Sequence, residues 1–585
     1  MPTFAVDGGF WYSIPESHVP RARIGSLVRV PLGGRRVRGY VVEIAERDPA
    51  RLKPIAGVSG DMAVFDTRLR DALIWTAHHY LAPVAVALER AAPPNLPTRP
   101  PAGASSPAIA VAPTDHPLDD LVAAVGSGRR RPVTALLDSW GDTSWLAATA
   151  PLVSANRSVM VVVATSAEVS MVASRARDAI GDDRVITAAG DMSDSDLTAR
   201  WSEAATLTGR ILIGTPRVAS WPVTALALAV VLEEGRRAMK DRQTPTVSVR
   251  RLIMTRARLE GFSQVYVGPT PSLELLAGGA DVIAAGTRAW PLVEVIDRNE
   301  EPPGSGLLTA RSRAAISATL KQGGRIFVFT HRRGYAPAYR CFNCREVRRC
   351  GSCGSRPEPG EACPRCGAPS APCLSCGGKS FEPLGAGAGR VLAEMHGVFG
   401  DLAGEAGTDR PLMVGTERDL AALPGVDLAV AVDVDGLALG SHFRAAEDAL
   451  RILARLAGRV RRGSGRRLMI QTSLPDQPLV VALRRGDPVE FLEGEMKLRR
   501  TMGYPPATEM MVVEVRGDSD MVDADLRSGA DDTVSIMGPA ATHDARRWLV
   551  QGPGLGAYKL ALRPLVQRWR DTGSTVRMDV DPLDL

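Results

Sequence analysis

Apolar residues fall into brief runs separated by longer amphipathic stretches. The segments 158–164, 210–213, 226–232 and 265–267 are nearly continuous apolar runs, the pattern of strands covered on both sheet faces. Helical stretches lie between them, which predicts a parallel α/β unit over residues 118–298. The runs 325–329, 412–414, 427–433 and 468–471 predict a second unit of the same kind. Residues 66–92 follow a helical period through Leu69, Leu73 and Trp75. The first 48 residues differ: alternation at 27–30, extended stretches at 10–12 and 37–44, and a Gly33-Gly34 turn predict a small β-barrel or sandwich. Residues 93–117, rich in Pro, Ala and Ser, read as a linker. From 477 onward helix and strand mix again, and no internal repeat is visible.

Composition narrows the class. The 585 residues, 45% hydrophobic and 23% charged, suit an ordinary globular protein of about four domains, at roughly 150 residues each. No apolar run approaches the roughly 18–20 residues of a membrane span, and the first residues lack a basic start followed by an apolar stretch, so a cytoplasmic protein without membrane association is expected. The net charge of +6 permits a polyanionic partner without demanding one. The basic residues comprise 65 arginines and only six lysines, Lys53, Lys240, Lys321, Lys379, Lys497 and Lys559.

All eight cysteines lie between Cys341 and Cys376, as four Cys-x2-Cys pairs: Cys341/Cys344, Cys350/Cys353, Cys363/Cys366 and Cys373/Cys376. Each pair presents two thiolates to one tetrahedral ion, so four pairs make two four-cysteine zinc sites. Gly351, Gly354, Gly367 and Gly377 suit the tight turns this requires. Concentrated cysteines disfavour a disulfide framework, and the spacing is not that of a ferredoxin-type cluster. Such sites have no open position, which makes them structural. Spacing alone leaves sequential and nested pairings both open. No nucleophile–base constellation stands out, since every cysteine is committed.

Two α/β units with this insertion directly after His331-Arg332-Arg333-Gly334-Tyr335-Ala336-Pro337 form a combination that resembles the primosomal protein N′ (PriA) family of replication-restart helicases, where Asn-Arg-Arg-Gly-Tyr-Ala-Pro precedes the same four pairs. Phe10-Trp11-Tyr12 with Val28–Pro31 and Gly39-Tyr40 look like that family's N-terminal domain, which binds the 3′ end of a nascent strand; Trp75 to Tyr80 looks like its Trp-x4-Tyr-Tyr helix. Gly214-Thr215, Thr270-Pro271-Ser272-Leu273-Glu274, Asp433-Val434-Asp435-Gly436, Phe443-Arg444-Ala445-Ala446-Glu447 and Ala457-Gly458-Arg459 look like helicase motifs. Gly503-Tyr504-Pro505-Pro506 and Asp579–Pro582 look like the C-terminal domain.

The resemblance implies two RecA-like lobes, the second carrying a two-zinc insertion, between a small β-rich N-terminal DNA-binding domain and a C-terminal α+β domain. The expected boundaries are 1–97 for the N-terminal domain, 98–117 for the linker, 118–298 for lobe 1, 299–340 and 379–476 for lobe 2, 341–378 for the zinc module and 477–585 for the C-terminal domain. It implies nested ligation: Cys341, Cys344, Cys373 and Cys376 on one zinc, Cys350, Cys353, Cys363 and Cys366 on the other. Implied partners are forked, branched and single-stranded DNA, primosome proteins, a helicase loader or the replicative helicase, and single-strand-binding protein, with the chain itself a monomer. Replication restart, with its links to repair and recombination, is the implied process.

The motor motifs depart from the family. A helicase lobe needs Gly-x4-Gly-Lys-Ser/Thr, whose lysine reaches the β- and γ-phosphates and whose hydroxyl holds Mg²⁺. No lysine lies between Lys53 and Lys240; the loop position reads Leu136-Leu137-Asp138-Ser139-Trp140-Gly141-Asp142-Thr143-Ser144. Gly378-Lys379-Ser380 does not substitute, because Cys373 stands where the earlier glycine is required. The metal-holding Asp-Glu-Glu-His has become Leu232-Glu233-Glu234-Gly235, and the final arginine motif reads Arg455-Leu456-Ala457-Gly458-Arg459-Val460-Arg461-Arg462. Removing one electrostatic stabiliser costs about 10²–10³ in rate; losing lysine and aspartate together predicts no useful ATP hydrolysis, and no catalytic residue is assigned. An active ATP-dependent 3′-to-5′ helicase with a divergent nucleotide site is the rival reading, and a zinc-ribbon interaction protein without DNA affinity a third. In the N-terminal domain Trp11 stands at the aspartate of the family's Phe-Asp-Tyr, and the following interval is short for the family's winged-helix module.

Basic clusters occur at Arg35, Arg36 and Arg38, at 129–131, at Arg345, Arg348 and Arg349, and at 459–467. Each reads first as a solvated face, though arginine forks suit phosphate oxygens. Candidate DNA contacts are Arg332, Arg333, Tyr335, Arg459 and Arg462.

Overall fold

The computed structural model describes all residues except 1–3, 49–50, 98–113, 140, 287, 289, 303–305, 333–337, 365, 386, 441 and 542–544. At the N-terminus, β1 (Leu27–Leu32), β2 (Arg35–Tyr40) and β3 (Gly57–Ser59) form an antiparallel sheet ordered β2-β1-β3. The expected barrel or sandwich is therefore a single three-stranded sheet among the described residues. Phe10–Tyr12 is not a strand, and the helical stretch is two helices, Thr67–His79 and Val84–Glu89, broken where Pro83 has no N–H to continue the first.

Lobe 1 is a seven-stranded parallel sheet built from β4 (Thr134–Leu137), β5 (Ser158–Val162), β6 (Val185–Ala188), β7 (Ile211–Gly214), β8 (Leu226–Leu232), β9 (Ser263–Gly268) and β10 (Asp281–Ala284), ordered β10-β4-β9-β8-β5-β7-β6. Every residue of β5 is buried, as its apolar run requires. Lobe 2 is a six-stranded parallel sheet. It comprises β11 (Val293–Asp297), β12 (Ile326–Phe329), β15 (Ala403–Glu405), β16 (Leu412–Gly415), β17 (Leu428–Ala431) and β18 (Arg467–Thr472), ordered β11-β18-β17-β12-β16-β15. Between β12 and β15, β13 (Ala338–Cys341) and β14 (Phe381–Leu384) form an antiparallel stem that carries the cysteine module. The C-terminal sheet of β19 (Glu509–Arg516), β20 (Ser535–Ala541), β21 (Arg546–Gly552) and β22 (Thr575–Val580) is ordered β20-β21-β19-β22.

Two boundaries differ from expectation. β11 pairs with β18 from Val293↔Leu468 to Asp297↔Thr472, so lobe 2 begins before residue 293 and not after 298. The helices Pro478–Arg485 and Val489–Met502 bury Leu479, Leu483, Leu492 and Met496 in the lobe 2 core, so the C-terminal domain starts near residue 500, not 477.

One apolar core joins the N-terminal helix (Leu69, Leu73, Tyr80), one face of lobe 1 (Met160, Val162, Trp201) and the C-terminal domain (Val513, Trp548, Trp569). A polar knot pins the same three segments. Asp581 accepts from His79 Nε2 at 3.0 Å, while Lys559 Nζ lies 3.1 Å from His79 Nδ1 and pairs with Glu509 at 3.2 Å. Lys240, the only lysine in lobe 1, donates to Asp579 and, at 2.8 Å, to the Asp581 carbonyl. It is thus committed to the C-terminal domain.

Candidate functional site

The C-terminal ends of parallel strands are where α/β sheets bind ligands. In lobe 1 those of β4 and β8 face lobe 2, and an ion cluster fills the space between. Glu168 opens the helix Ser166–Ile180 in a capping box with Thr165; Glu233 follows β8 with φ +47°, a left-handed backbone rarely taken by a side-chain-bearing residue. Arg455, on lobe 2 helix Ala445–Gly458, reaches across with Nε 2.9 Å from Glu233 Oε2 and Nη2 3.8 Å from Glu168 Oε1, and its Nη1 bonds Glu417 at 2.8 Å. The side chains of Arg455, Glu168 and Glu233 are at most 1% exposed. Arg236 adds a second cation, 2.6 Å from Glu168 and 3.5 Å from Glu233.

A second tier lies beside it. Glu234 accepts from Ser272 N at 2.9 Å, Leu273 N donates to Glu447 at 3.3 Å, and Glu274 pairs with Arg444. Burial pushes the Glu274 carboxyl up, but Arg444 and Arg250 outweigh it and leave it well below the usual carboxylate range. Glu447 also receives Arg499 at 2.8 Å and Arg451 at 3.1 Å, and Phe443 stacks on Tyr504 at 5.2 Å. Motifs from both lobes and from the segment around 503 thus meet in one contact.

At the end of β4, Asp138 is buried, and its Oδ2 has no hydrogen-bond partner among the described residues. Burial first, and Asp142 second, push its carboxyl up to about 6. Arg459 does not face outward as a DNA contact would. It donates to the carbonyls of Leu420 and Ala421 at 2.8 and 2.9 Å, and its Nη1 would lie 3.1 Å from a Cβ at Gly141. Burial lowers its pKa to about 10, with Arg455 adding to the shift. Arg462 is exposed yet donates to Ser139 Oγ at 3.1 Å across the lobes. The space left beside Leu136, Glu233, Glu234 and Thr270 is about 10 Å³.

In the cysteine module the structure brings together Cys341, Cys344, Cys373 and Cys376 in one group and Cys350, Cys353, Cys363 and Cys366 in another, with all sulfurs of a group within 4.8 Å of one another. Nearest Sγ···Sγ distances are 3.5–3.6 Å, close to the roughly 3.8 Å edge of a tetrahedron with Zn–S bonds of about 2.3 Å. Each pair folds alike. The residue after the second cysteine has positive φ (Arg345 +65°, Gly354 +69°, Gly367 +72°, Gly377 +73°) and donates its N–H to the carbonyl of the first at 2.8–3.0 Å. Gly351 is not among these left-handed positions; Arg345 fills the fourth. Two cysteine tetrads can therefore each hold a metal ion, and the donor set fits zinc. Of the module's basic residues, Arg348 is buried, donating to Ser370 Oγ at 2.8 Å and stacking 4.7 Å over Phe381, and Arg345 pairs with Glu382. Arg349 remains exposed.

Arg332 is exposed on the segment entering the module, its Nε 3.0 Å from His331 Nε2. Arg333 and Tyr335 lie outside the described residues. The N-terminal domain holds a cavity of about 990 Å³ lined by Phe10, Trp11, Tyr12, Tyr40, Leu88 and, from lobe 1, Arg217. The Arg47 guanidinium sits 3.7 Å over the Trp11 ring. The motif Phe10-Trp11-Tyr12 pointed to this place; the share taken by Arg217 had no sequence signal.

Residues 1–93 match the 3′ DNA-binding domain (3′BD) model of PriA, and residues 500–583 match the primosomal protein N C-terminal domain. The probable replication restart protein PriA of Mycobacterium tuberculosis (strain ATCC 25618 / H37Rv) is 27% identical, over 99% of each chain. The replication restart protein PriA of Treponema pallidum (strain Nichols) is 23% identical over 99% of this chain and 98% of its own. Over its whole length the chain is similar to PriA replication-restart proteins, and residues 1–93 and 500–583 match domain models of that family. The loop after β4 and Glu233 are both engaged by lobe 2 arginines. Arg455 and Arg462 supply those cations, and Arg459 packs beside Gly141. No helix of the described residues is long and apolar enough to cross a membrane.

Proposed function

We propose that this chain acts in replication restart as a fork-DNA-binding scaffold that neither hydrolyses ATP nor translocates. Full-length similarity to PriA proteins and the match of residues 1–93 to the PriA 3′ DNA-binding domain support the DNA partner. The observation that carries the loss of the motor is Arg455, buried against Glu233 and Glu168, where phosphoryl transfer would need a metal and a lysine to neutralise charge. The two cysteine tetrads bind structural zinc, and Arg332, Arg333, Tyr335 and Arg462 are the proposed DNA contacts. A helicase loader or the replicative helicase, other primosome proteins and single-strand-binding protein are the protein partners.

ATP turnover by the zinc-loaded chain, with and without excess forked DNA and beside an intact PriA, tests this reading. Turnover at background in both conditions, with the fork shifted in a mobility assay, is the expected result. DNA-stimulated turnover would restore the helicase reading, and no shift with forked or linear DNA would leave a zinc-ribbon interaction protein.

A further inference from the structure

The hairpin of β1 and β2 is charged in a way that its own fold does not use. In the register of the pair, Val28↔Gly39 and Val30↔Val37 share one face, and Leu27↔Tyr40, Arg29↔Arg38 and Pro31↔Arg36 share the other. Val28, Val30 and Val37 pack in a small core with Ile55. On the opposite face Leu27 and Tyr40 pack inward at one end, and apart from Pro31 the rest is arginine. Arg29, Arg36 and Arg38 are all exposed, and none has an ion pair or side-chain hydrogen bond to a described residue.

Directly opposed like charges on a ladder are destabilising, and Arg29 faces Arg38 across it. On the other flank of Arg29 stands Gly57, where an added Cβ would meet nothing within 4 Å. The strip is therefore open and cationic. It also borders the 990 Å³ cavity, which Arg38 and Tyr40 line together with Val28, Val30 and Val37 of the other face.

We propose that this hairpin is a phosphate-binding strip, with Arg29, Arg36 and Arg38 holding the backbone of the DNA single strand whose 3′ end enters the cavity. The inference rests on the DNA-binding reading above and adds the residues and the strand. Spaced guanidinium groups fit a run of phosphates, and such contacts give affinity without sequence preference.

Fluorescence anisotropy of a labelled single-stranded oligonucleotide with a free 3′ end, measured across a series of salt concentrations, tests it. Each phosphate contact on a single strand contributes about 0.7 to the slope of log affinity against log salt. The variant R29Q/R36Q/R38Q should therefore lose about 2 from the slope, and R484Q/R500Q, equally exposed on lobe 2, should lose none. Because the variant removes an opposed pair of charges, its thermal midpoint should stay level or rise. A slope unchanged in the hairpin variant, or one lost only on a blunt duplex, overturns the strip; so does a fall in thermal midpoint that accounts for the lost binding. Absence of saturable binding by the parent protein to any DNA would instead sink the underlying reading.

Discussion

Arg455 answers three carboxylates at once from a fully buried position. Burying a charge is costly unless it is paired, and removing one partner of a buried set leaves the others uncompensated. Arg455→Ala should destabilise the chain by about 3–5 kcal/mol, read as a lower urea midpoint at unchanged slope. Asp138 makes a different statement. Its folded pKa of about 6 lies above the ordinary 3.8, so the folded state holds the proton more tightly than the unfolded one. The stability this group contributes is present below about pH 4 and lost as pH rises through about 6. Asp138→Asn removes that loss. The variant should match the parent near pH 4 and exceed it by about 2 kcal/mol at pH 8, allowing for residual solvent screening. Equal denaturation curves at both pH values would refute it.

Among the elements, the cysteine turns give the cleanest test, because their backbone is the same four times over. Gly377 has φ +73° and nothing within 4 Å of an added Cβ, so Gly377→Ala strains only the backbone, by about 1–2 kcal/mol. Zinc loss to a colorimetric chelator should become about tenfold more favourable, whereas Gly351→Ala, whose φ is ordinary, should change little. Full release should yield two zinc ions per chain. Most strands were legible because buried parallel strands write continuous apolar runs; β4, β6, β10 and β15 escaped, since each is only three or four residues and carries a polar residue or glycine among its apolar ones. β11 was assigned to the wrong lobe because its partner β18 lies about 175 residues on, and no local pattern reports that. The loss of the lysine was plain in the sequence. That Arg455 and Arg459 occupy its surroundings was not, since the cluster draws on residues from Glu168 to Arg499 that only the tertiary fold assembles.

For the whole molecule, the lobes are joined by Arg455–Glu233, Arg444–Glu274, Arg462–Ser139 and Arg237–Asp448, the last at 3.6 Å. A ligand shifts a conformational equilibrium only through different affinities for its two states, and the space beside Leu136, Glu233 and Thr270 between these contacts is only about 10 Å³. Small-angle scattering should give the same profile with and without excess Mg-ATP; a compaction on adding nucleotide would contradict the closed contact. Weakening Arg455 and Arg444 together should expand the particle, an effect that neither exposed Arg484 nor Arg500 would share.

The knot at Asp581 bears on how the chain is made. His79 emerges early in synthesis, yet the carboxylate that meets its Nε2 and the lysine beside its Nδ1 come some 500 residues later. At about 5–20 residues per second that is a delay of roughly 25–100 s. Lobe 1 emerges first and supplies part of the cover, Ser248 N donating to the Tyr80 hydroxyl, while the C-terminal share of that core is still to come. The first domain thus leaves the ribosome with its hairpin complete before its C-terminal anchor exists.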